Sequence, residues 1–245
     1  TRGDHVRGFD LRQGRDLAGK YEVVDLLGSG YEGEVYKIVE TSTGIGCAAK
    51  LFFPERNVSN KTSARYAQKL HALRGCPFVI QYQTQETIQW RKQKVTALIS
   101  EYVEGRLLDD YLKSVPRKRL NPFQAVALLD GLVCGLDSIH SNGFYHGDLH
   151  SGNIIVERVG LKYHLRCLDF YDHPGTRREN MAGDIVEAIR VFHEALGGPR
   201  HYAKQPPAVK SICRGLKRGL ILERFPTVKH LHAFLESLDW GTSVS

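Results

Sequence analysis

The chain has 245 residues, 42% hydrophobic and 25% charged, an ordinary globular composition with enough length to bury a core as one domain of two lobes. Its formal charge of +7 suits a phosphate-bearing ligand, an acidic partner or nucleic acid, and does not choose among them. The five cysteines, Cys47, Cys76, Cys134, Cys167 and Cys213, are odd in number and lack CxxC spacing, so they predict small apolar fillers in a reducing, cytoplasmic setting and argue against a zinc site.

Residues 1–20 are polar and rich in Arg and Gly, and read as a lead-in. Tyr21 to Leu27 predicts a strand that runs into Gly28-Ser29-Gly30-Tyr31-Glu32-Gly33, and Glu34 to Val39 predicts a second. Strand, glycine turn and strand make a hairpin whose bare backbone can approach a polyphosphate, because glycine has no Cβ to hold it off. An ordinary glycine hairpin would have the same spacing. Gly46 to Phe53 predicts a third strand with one lysine, Lys50, inside an apolar run; it either snorkels from an edge or reaches for phosphate oxygens. A helix follows over about 60–74, with Ala64, Ala67, Leu70 and Leu73 on one face. Phe78-Val79-Ile80 and Val95 to Ile99 complete a five-stranded antiparallel expectation.

After Glu101-Tyr102-Val103-Glu104-Gly105, which reads as a linker, the pattern is mainly helical. Asn121-Pro122 is an N-cap with proline at the first helical position, and Gly143 closes the helix that follows. Further helices are predicted over about 183–196, 208–220 and 227–238. The basic cluster Arg117-Lys118-Arg119 reads as a solvated turn, and no nucleic-acid-binding motif is found.

The chemistry concentrates in Tyr145-His146-Gly147-Asp148-Leu149-His150-Ser151-Gly152-Asn153, followed by Ile154-Ile155-Val156, and in Leu168-Asp169-Phe170. Asp148 can orient a reacting hydroxyl, while Asn153 and Asp169 offer hard oxygens to Mg2+. That is the set a Mg-nucleotide phosphotransferase needs.

The order of these parts over roughly residues 20–240 resembles the protein-kinase-like fold. It is α+β and bilobal, with a small antiparallel sheet and one helix in the N-lobe (21–101) and a mainly helical C-lobe (102–240). Gly28 to Val35 resembles the glycine-rich loop, Cys47-Ala48-Ala49-Lys50 the phosphate-lysine strand, and Glu101-Tyr102-Val103 the hinge beside adenine, with Ser100 as gatekeeper. The resemblance implies that Gly28, Gly30, Gly33, Val35, Ala48, Lys50, Glu101, Val103 and Ile155 meet ATP. It further implies that Asn153 and Asp169 ligate Mg2+, that Asp148 is the catalytic acid-base residue, and that Lys50 and His150 assist at the phosphates. Gly183-Asp184-Ile185 resembles the start of a central helix whose Asp fixes the catalytic-loop backbone, and Arg224-Phe225-Pro226-Thr227 the approach to the last helix.

Several positions depart from that pattern. The 60–74 helix has no Glu for Lys50, although Gln68 could offer a neutral hydrogen bond. Gly147 stands where Arg is common, His150 where Lys is common, and Tyr171 where Gly follows Asp-Phe. The stretch from Asp169 to Asp184 is short and lacks A-P-E, and Arg224 lacks its usual Glu.

The function expected is that of a bacterial-type Ser/Thr protein kinase using ATP and Mg2+. Its acceptor would be a protein hydroxyl or its own chain, in the neighbourhood of Ser59, Thr62, Ser63 or Thr176. The H-G-D-L-H-x-G-N wording also occurs in aminoglycoside- and choline-type kinases, so a small-molecule acceptor stays open, as does a nucleotide-binding pseudokinase. No nucleic-acid or membrane partner is expected: no apolar run approaches membrane-spanning length, and no targeting segment is read. The chain starts at Thr1 and its one methionine is Met181, so a piece of a longer protein is expected.

Overall fold

The structure is a computed structural model that describes residues 8–160 and 162–238, so residues 1–7 of the expected lead-in and 239–240 of the expected C-lobe lie outside the described residues. The described chain forms two units, residues 8–75 with 80–103 and residues 76–79 with 104–238. An antiparallel-sheet unit followed by a mainly helical unit is the α+β arrangement that the resemblance implied.

The first unit is a six-stranded antiparallel sheet in the order β1-β2-β3-β4-β6-β5. Its strands are β1 (Asp16–Leu17), β2 (Tyr21–Ser29), β3 (Gly33–Glu40), β4 (Gly46–Phe52), β5 (Tyr82–Trp90) and β6 (Gln93–Glu101). Period-two alternation gives the sheet two different faces. One face buries Tyr36, Ile38, Cys47, Ala49, Leu51, Ala97 and Ile99 in a single apolar cluster. The other carries Val35, Lys50 and Leu98 side by side, and next to them Lys37, Ala48 and Ser100.

The lead-in expectation is corrected for residues 8–17, which close the apolar face. Phe9, Leu11 and Leu17 are buried there. Phe9 stacks on Phe53 and meets Trp90 edge-on, each at 5.2 Å between ring centroids. Polar groups fix the same segment: Trp90 Nε1 donates to the Phe9 carbonyl at 2.9 Å, and Phe9 N to Glu34 Oε2 at 2.9 Å. Glu34 is itself buried and accepts from the Tyr36 hydroxyl at 2.5 Å. Gly, Asp and Arg around these apolar residues hid a core segment behind a polar composition.

The five-strand expectation is corrected too. Residues 78–80 form no strand of this sheet. Phe78 and Val79 belong to the second unit, where Val79 bridges Cys167 and the Phe78 carbonyl accepts from Cys167 N at 2.7 Å. The strand beside β6 is β5, whose inward positions include Thr84 and Glu86 as well as Ile88 and Trp90. An edge strand so polar has little apolar alternation to reveal it.

Helix α1 (Lys61–Ala72) matches the expected helix in place and, through Leu70 and Leu73, in part of its buried face. Ser63, Tyr66 and Leu70 face inward; Ala64 and Gln68 are exposed. Asn57 holds its start, donating to Ser63 Oγ at 3.1 Å and accepting from Ser63 N at 3.0 Å.

The second unit has a small antiparallel sheet, β7 (Arg106–Leu107), β8 (Ile154–Val159) and β9 (Lys162–Cys167), and seven helices among the described residues. These are α2 (Leu108–Ser114), α3 (Pro122–Ser141), α4 (Arg177–Ala195), α5 (Pro199–Tyr202), α6 (Pro207–Cys213), α7 (Arg218–Arg224) and α8 (Val228–Glu236). Asn121 and Gln124 form a reciprocal capping box at the start of α3. By length and composition α3 is apolar enough to cross a membrane, contrary to the sequence expectation, yet nine of its residues are buried and it packs against α4, α8 and β9. It is a core helix of this unit.

α4 begins six residues before the expected start, because Thr176 and Glu179 form a second capping box ahead of the apolar periodicity. The single helix expected over 208–220 is two, separated at Arg214, Gly215 and Leu216, all with left-handed φ between 48° and 63°. Cys134 is exposed, so it is no apolar filler; the other four cysteines are buried.

Candidate active site

In the second unit, a loop between α3 and β8 is held from beneath by one carboxylate. Asp184 of α4 is 1% exposed and accepts from the backbone N–H groups of His146 and Gly147, each at 2.8 Å. Its Oδ2 also lies 2.9 Å from His140 Nε2. The tie between Asp184 and the loop backbone is therefore present as the resemblance implied. His140 is an additional partner that sequence reasoning missed, since only the fold brings α3 beside α4.

His146 is fully buried, with its ring 4.8 Å from that of Phe170. Burial holds its pKa below the ordinary histidine value, against the opposing pull of Asp184. The neutral ring accepts at Nδ1 from Asp148 N at 3.2 Å, which turns the Asp148 backbone.

Gly147 has φ +84°, and a Cβ there would come within 2.1 Å of the Tyr171 carbonyl oxygen. Tyr171 N in turn donates to the His146 carbonyl at 2.9 Å. The missing Arg at 147 thus has a backbone cause: the segment after Asp169 runs so close to the loop that only glycine fits.

Asp148, His150, Asn153 and Asp169 are brought together. Asn153 is buried and its Nδ2 donates to the Asp148 carbonyl at 3.0 Å and to Asp148 Oδ2 at 3.1 Å. With the amide nitrogen committed, Oδ1 is the ligand atom left on Asn153. His150 accepts at Nδ1 from Gly152 N at 3.1 Å, which puts the ring proton on Nε2, 3.7 Å from Asp148 Oδ2. The Asn153 carbonyl accepts from Leu168 N at 2.8 Å, and this bond sets Asp169 next to the loop. Asp169 itself has φ +49°. Ile155 in β8 is half-buried and pairs with Leu107, while Ile154 and Val156 face the core. Seven residues, 170–176, connect Asp169 to α4.

The first unit holds the remaining candidates. Val35, Ala48 and Lys50 share one sheet face. Gly28 pairs with Val35, and a Cβ at Gly28 or Gly30 would meet no atom within 4 Å. Gly33 differs: a Cβ there would lie 1.8 Å from the Leu51 carbonyl oxygen, so the β3–β4 approach itself demands that glycine. Glu101 is tied at the end of β6, its N donating to the Gln81 carbonyl at 3.0 Å and its Oε1 accepting from Gln81 N at 3.1 Å. Val103, half-buried, is the last residue of this unit.

Lys50 has a partner the sequence reading did not find. Its Nζ lies 3.0 Å from Glu32 Oε2 in the glycine turn and 4.7 Å from the centroid of the Tyr66 ring. Gln68, considered as a substitute, points away from the sheet side of α1 into solvent. An acid between two glycines of a turn meant to face phosphates was the available signal. Arg224 likewise has a replacement, its guanidinium 5.2 Å from the Phe234 ring.

Against known proteins, the profile described as "Protein kinase domain" matches residues 21–171, more than half of the chain. The chain is 30% identical over 192 residues to the serine/threonine-protein kinase pkn2 of Myxococcus xanthus, covering 77% of this chain and 22% of that protein. It is 30% identical over 207 residues to the serine/threonine-protein kinase STK11 of Gallus gallus, covering 81% and 42% respectively. It therefore spans well under two thirds of the length of either relative. The crystal structure of the Mycobacterium tuberculosis PknI kinase domain superposes with a TM-score of 0.66 at 19% identity, over 92% of this chain and 98% of that one. With a profile match across both the glycine turn and the Asp148–Asp169 loops, the chain belongs to the protein kinase domain family.

Proposed function

We propose that the chain is a serine/threonine protein kinase that transfers the γ-phosphoryl group of ATP, with Mg2+, to a protein hydroxyl. The observation that carries this reading is the bond from Asn153 Nδ2 to Asp148 Oδ2, within a loop fixed by the buried Asp184. It points one carboxylate oxygen and leaves Asn153 Oδ1 as a hard oxygen donor, and the Asp169 carboxylate is the second hard oxygen of the proposal. Such a donor set fits Mg2+.

Mg2+, when bound, neutralises phosphate charge. The chain's own groups do the rest. Asp148 accepts the proton of the acceptor hydroxyl and orients that oxygen. His150 Nε2 donates toward the transferred phosphoryl group, and Lys50 holds phosphate oxygens. The fold makes no use of the bare backbone at Gly28 and Gly30, which supports close approach of a polyphosphate there. At Gly33 the bare backbone is already accounted for by the close approach of β4, so that glycine adds no separate support.

Self-phosphorylation belongs to the same proposal with a narrower set of acceptors. Ser59 is exposed, whereas Ser63 is fully buried and bonded to Asn57, and Thr176 is engaged as the N-cap of α4. A reducing, cytoplasmic setting and a bacterial type are further parts of the proposal. The first is supported by five cysteines with no disulfide among them, the second by the likeness to the Myxococcus kinase.

The test is incubation of the purified chain with labelled ATP and Mg2+, a generic protein acceptor and a mixture of small hydroxyl compounds. Label in Ser or Thr of protein supports the proposal. Label confined to small molecules would replace it with a small-molecule kinase, and nucleotide binding without turnover would leave a binding module.

A further inference from the structure

Helices α3 and α8 pack together in the second unit, and where they meet each contributes two metal-binding side chains one turn apart. Asp130 and Cys134 lie at i and i+4 on α3, His232 and Glu236 at i and i+4 on α8, so each pair shares one face of its helix. Cys134 Sγ is 3.6 Å from His232 Nε2, and His232 Nε2 is 3.6 Å from Asp130 Oδ1 and 3.9 Å from Glu236 Oε1. The ligand atoms of Asp130, Cys134 and His232 all fall within 4.8 Å of one another. A tetrahedral Zn2+ with its usual bond lengths to sulfur, nitrogen and oxygen has edges of about 3.3–3.6 Å. The spacing is nearly that of a coordination shell, reached by groups 98 residues apart in sequence.

The geometry points to a Zn2+ site formed by Asp130, Cys134 and His232, with Glu236 closing the fourth position and α8 thereby fastened to α3. A thiol with an imidazole and carboxylates suits zinc rather than Mg2+ or Ca2+, which take oxygen donors. Cys134 is exposed, so an ion can reach it, while the chain's other four thiols are buried. Asp130, Asp137 and Glu236 gather negative charge around Cys134, which favours a cation there. Zn2+ would bind the thiolate, and the displaced thiol proton goes to solvent. The site shares no residue with the Asp148–Asn153–Asp169 group and does not depend on the proposed activity.

The experiment uses the whole chain, stripped of metal and kept reduced. Titration with Co2+ should give one equivalent of a tetrahedral complex with a thiolate-to-cobalt charge-transfer band, and Zn2+ should bleach it stoichiometrically. Cys134→Ser and His232→Ala should each remove the band and lower affinity by more than the roughly 10–100-fold that loss of a supporting hydrogen bond costs a metal site. Asp169→Asn should leave the band intact, separating this site from the proposed Mg2+ ligands. Zn2+ should raise the Tm of the unaltered chain and not that of Cys134→Ser. Absence of a charge-transfer band in the unaltered chain would overturn the inference whatever the variants do. So would binding that persists equally in Cys134→Ser.

Discussion

Lys50 Nζ sits 3.0 Å from Glu32 Oε2, so the lysine of β4 is held by an acid of the glycine turn rather than by an acid of α1. Both side chains are largely out of water, at 12% and 28% exposure, and the pair is therefore worth more than a surface ion pair. Glu32→Ala is expected to lower kcat/KM for ATP by about 10–100-fold, corresponding to about 1.5–3 kcal/mol for a hydrogen bond to a charged group. Lys50→Met should lower it further. Steady-state kinetics decide the matter; faster turnover in Glu32→Ala would make that carboxylate an obstruction to ATP and not a support.

Asp148→Asn keeps the shape of the side chain and removes its basicity. Phosphoryl transfer should fall by about 10²–10⁴-fold with Tm changed little, since Asp148 is more than half exposed. Asp169→Asn should show the same split between activity and stability, together with a weaker dependence on Mg2+ concentration. A thermal melt alongside the transfer assay checks both.

Gly147 cannot accept a side chain without moving Tyr171. Gly147→Ala should destabilise the chain by about 1–3 kcal/mol, through a left-handed φ and a blocked contact, and should abolish transfer. Tyr171→Gly does not relieve the clash, because the obstructing atom is a backbone oxygen. Urea unfolding of the two single variants and the double variant checks this, and rescue by Tyr171→Gly would contradict it.

The apolar face of the sheet depends on Phe9, 81 residues from its hydrogen-bond partner Trp90. Phe9→Ala is expected to cost about 3–5 kcal/mol in denaturant unfolding, the range for emptying a buried aromatic position. A change under 1 kcal/mol would mean that the segment is not integral to this unit.

His146 predicts a loss of stability in acid. Its folded pKa is depressed by burial, so below the ordinary value of 6.5 the unfolded chain takes up a proton that the folded chain refuses. Stability from this group is complete above pH 6.5 and declines as pH falls, by up to about 1.4 kcal/mol per pH unit. Buried His193, shifted in the same direction by burial, adds to the slope. Tm measured from pH 7.5 to 5.5 should fall, and His146→Asn should flatten the curve.

The glycine turn, the lysine strand, the Asp148–Asn153 loop and the capped start of α3 were legible because each is written in consecutive residues. What was not legible depended on distant pairing. β5 hides its strand in Thr84 and Glu86, which pass for polar loop residues until β6 lies beside them. Phe9 and Leu11 look like strays in a basic tail until Trp90 and Tyr36 supply their partners. The buried face of α1 was right at Leu70 and Leu73 and wrong at Ala64, because alanines at helical spacing outweighed Ser63 and Tyr66, which are buried instead. Glu32 was overlooked as Lys50's mate because expectation fixed on the helix. The early start of α4 was available in Thr176 and Glu179 and was missed by starting from apolar period alone.

Only seven residues separate Asp169 from α4, a tether that fully stretched reaches about 25 Å at most. Near one end it is pinned by the Tyr171 amide on His146, and at the other by the cap that Thr176 shares with Glu179. There is no slack in it to unfurl. A switch that works by throwing out a long strap and reeling it in has nothing to act on between Asp169 and α4, so any on–off control has to reach Asp148 and Asp169 by another route.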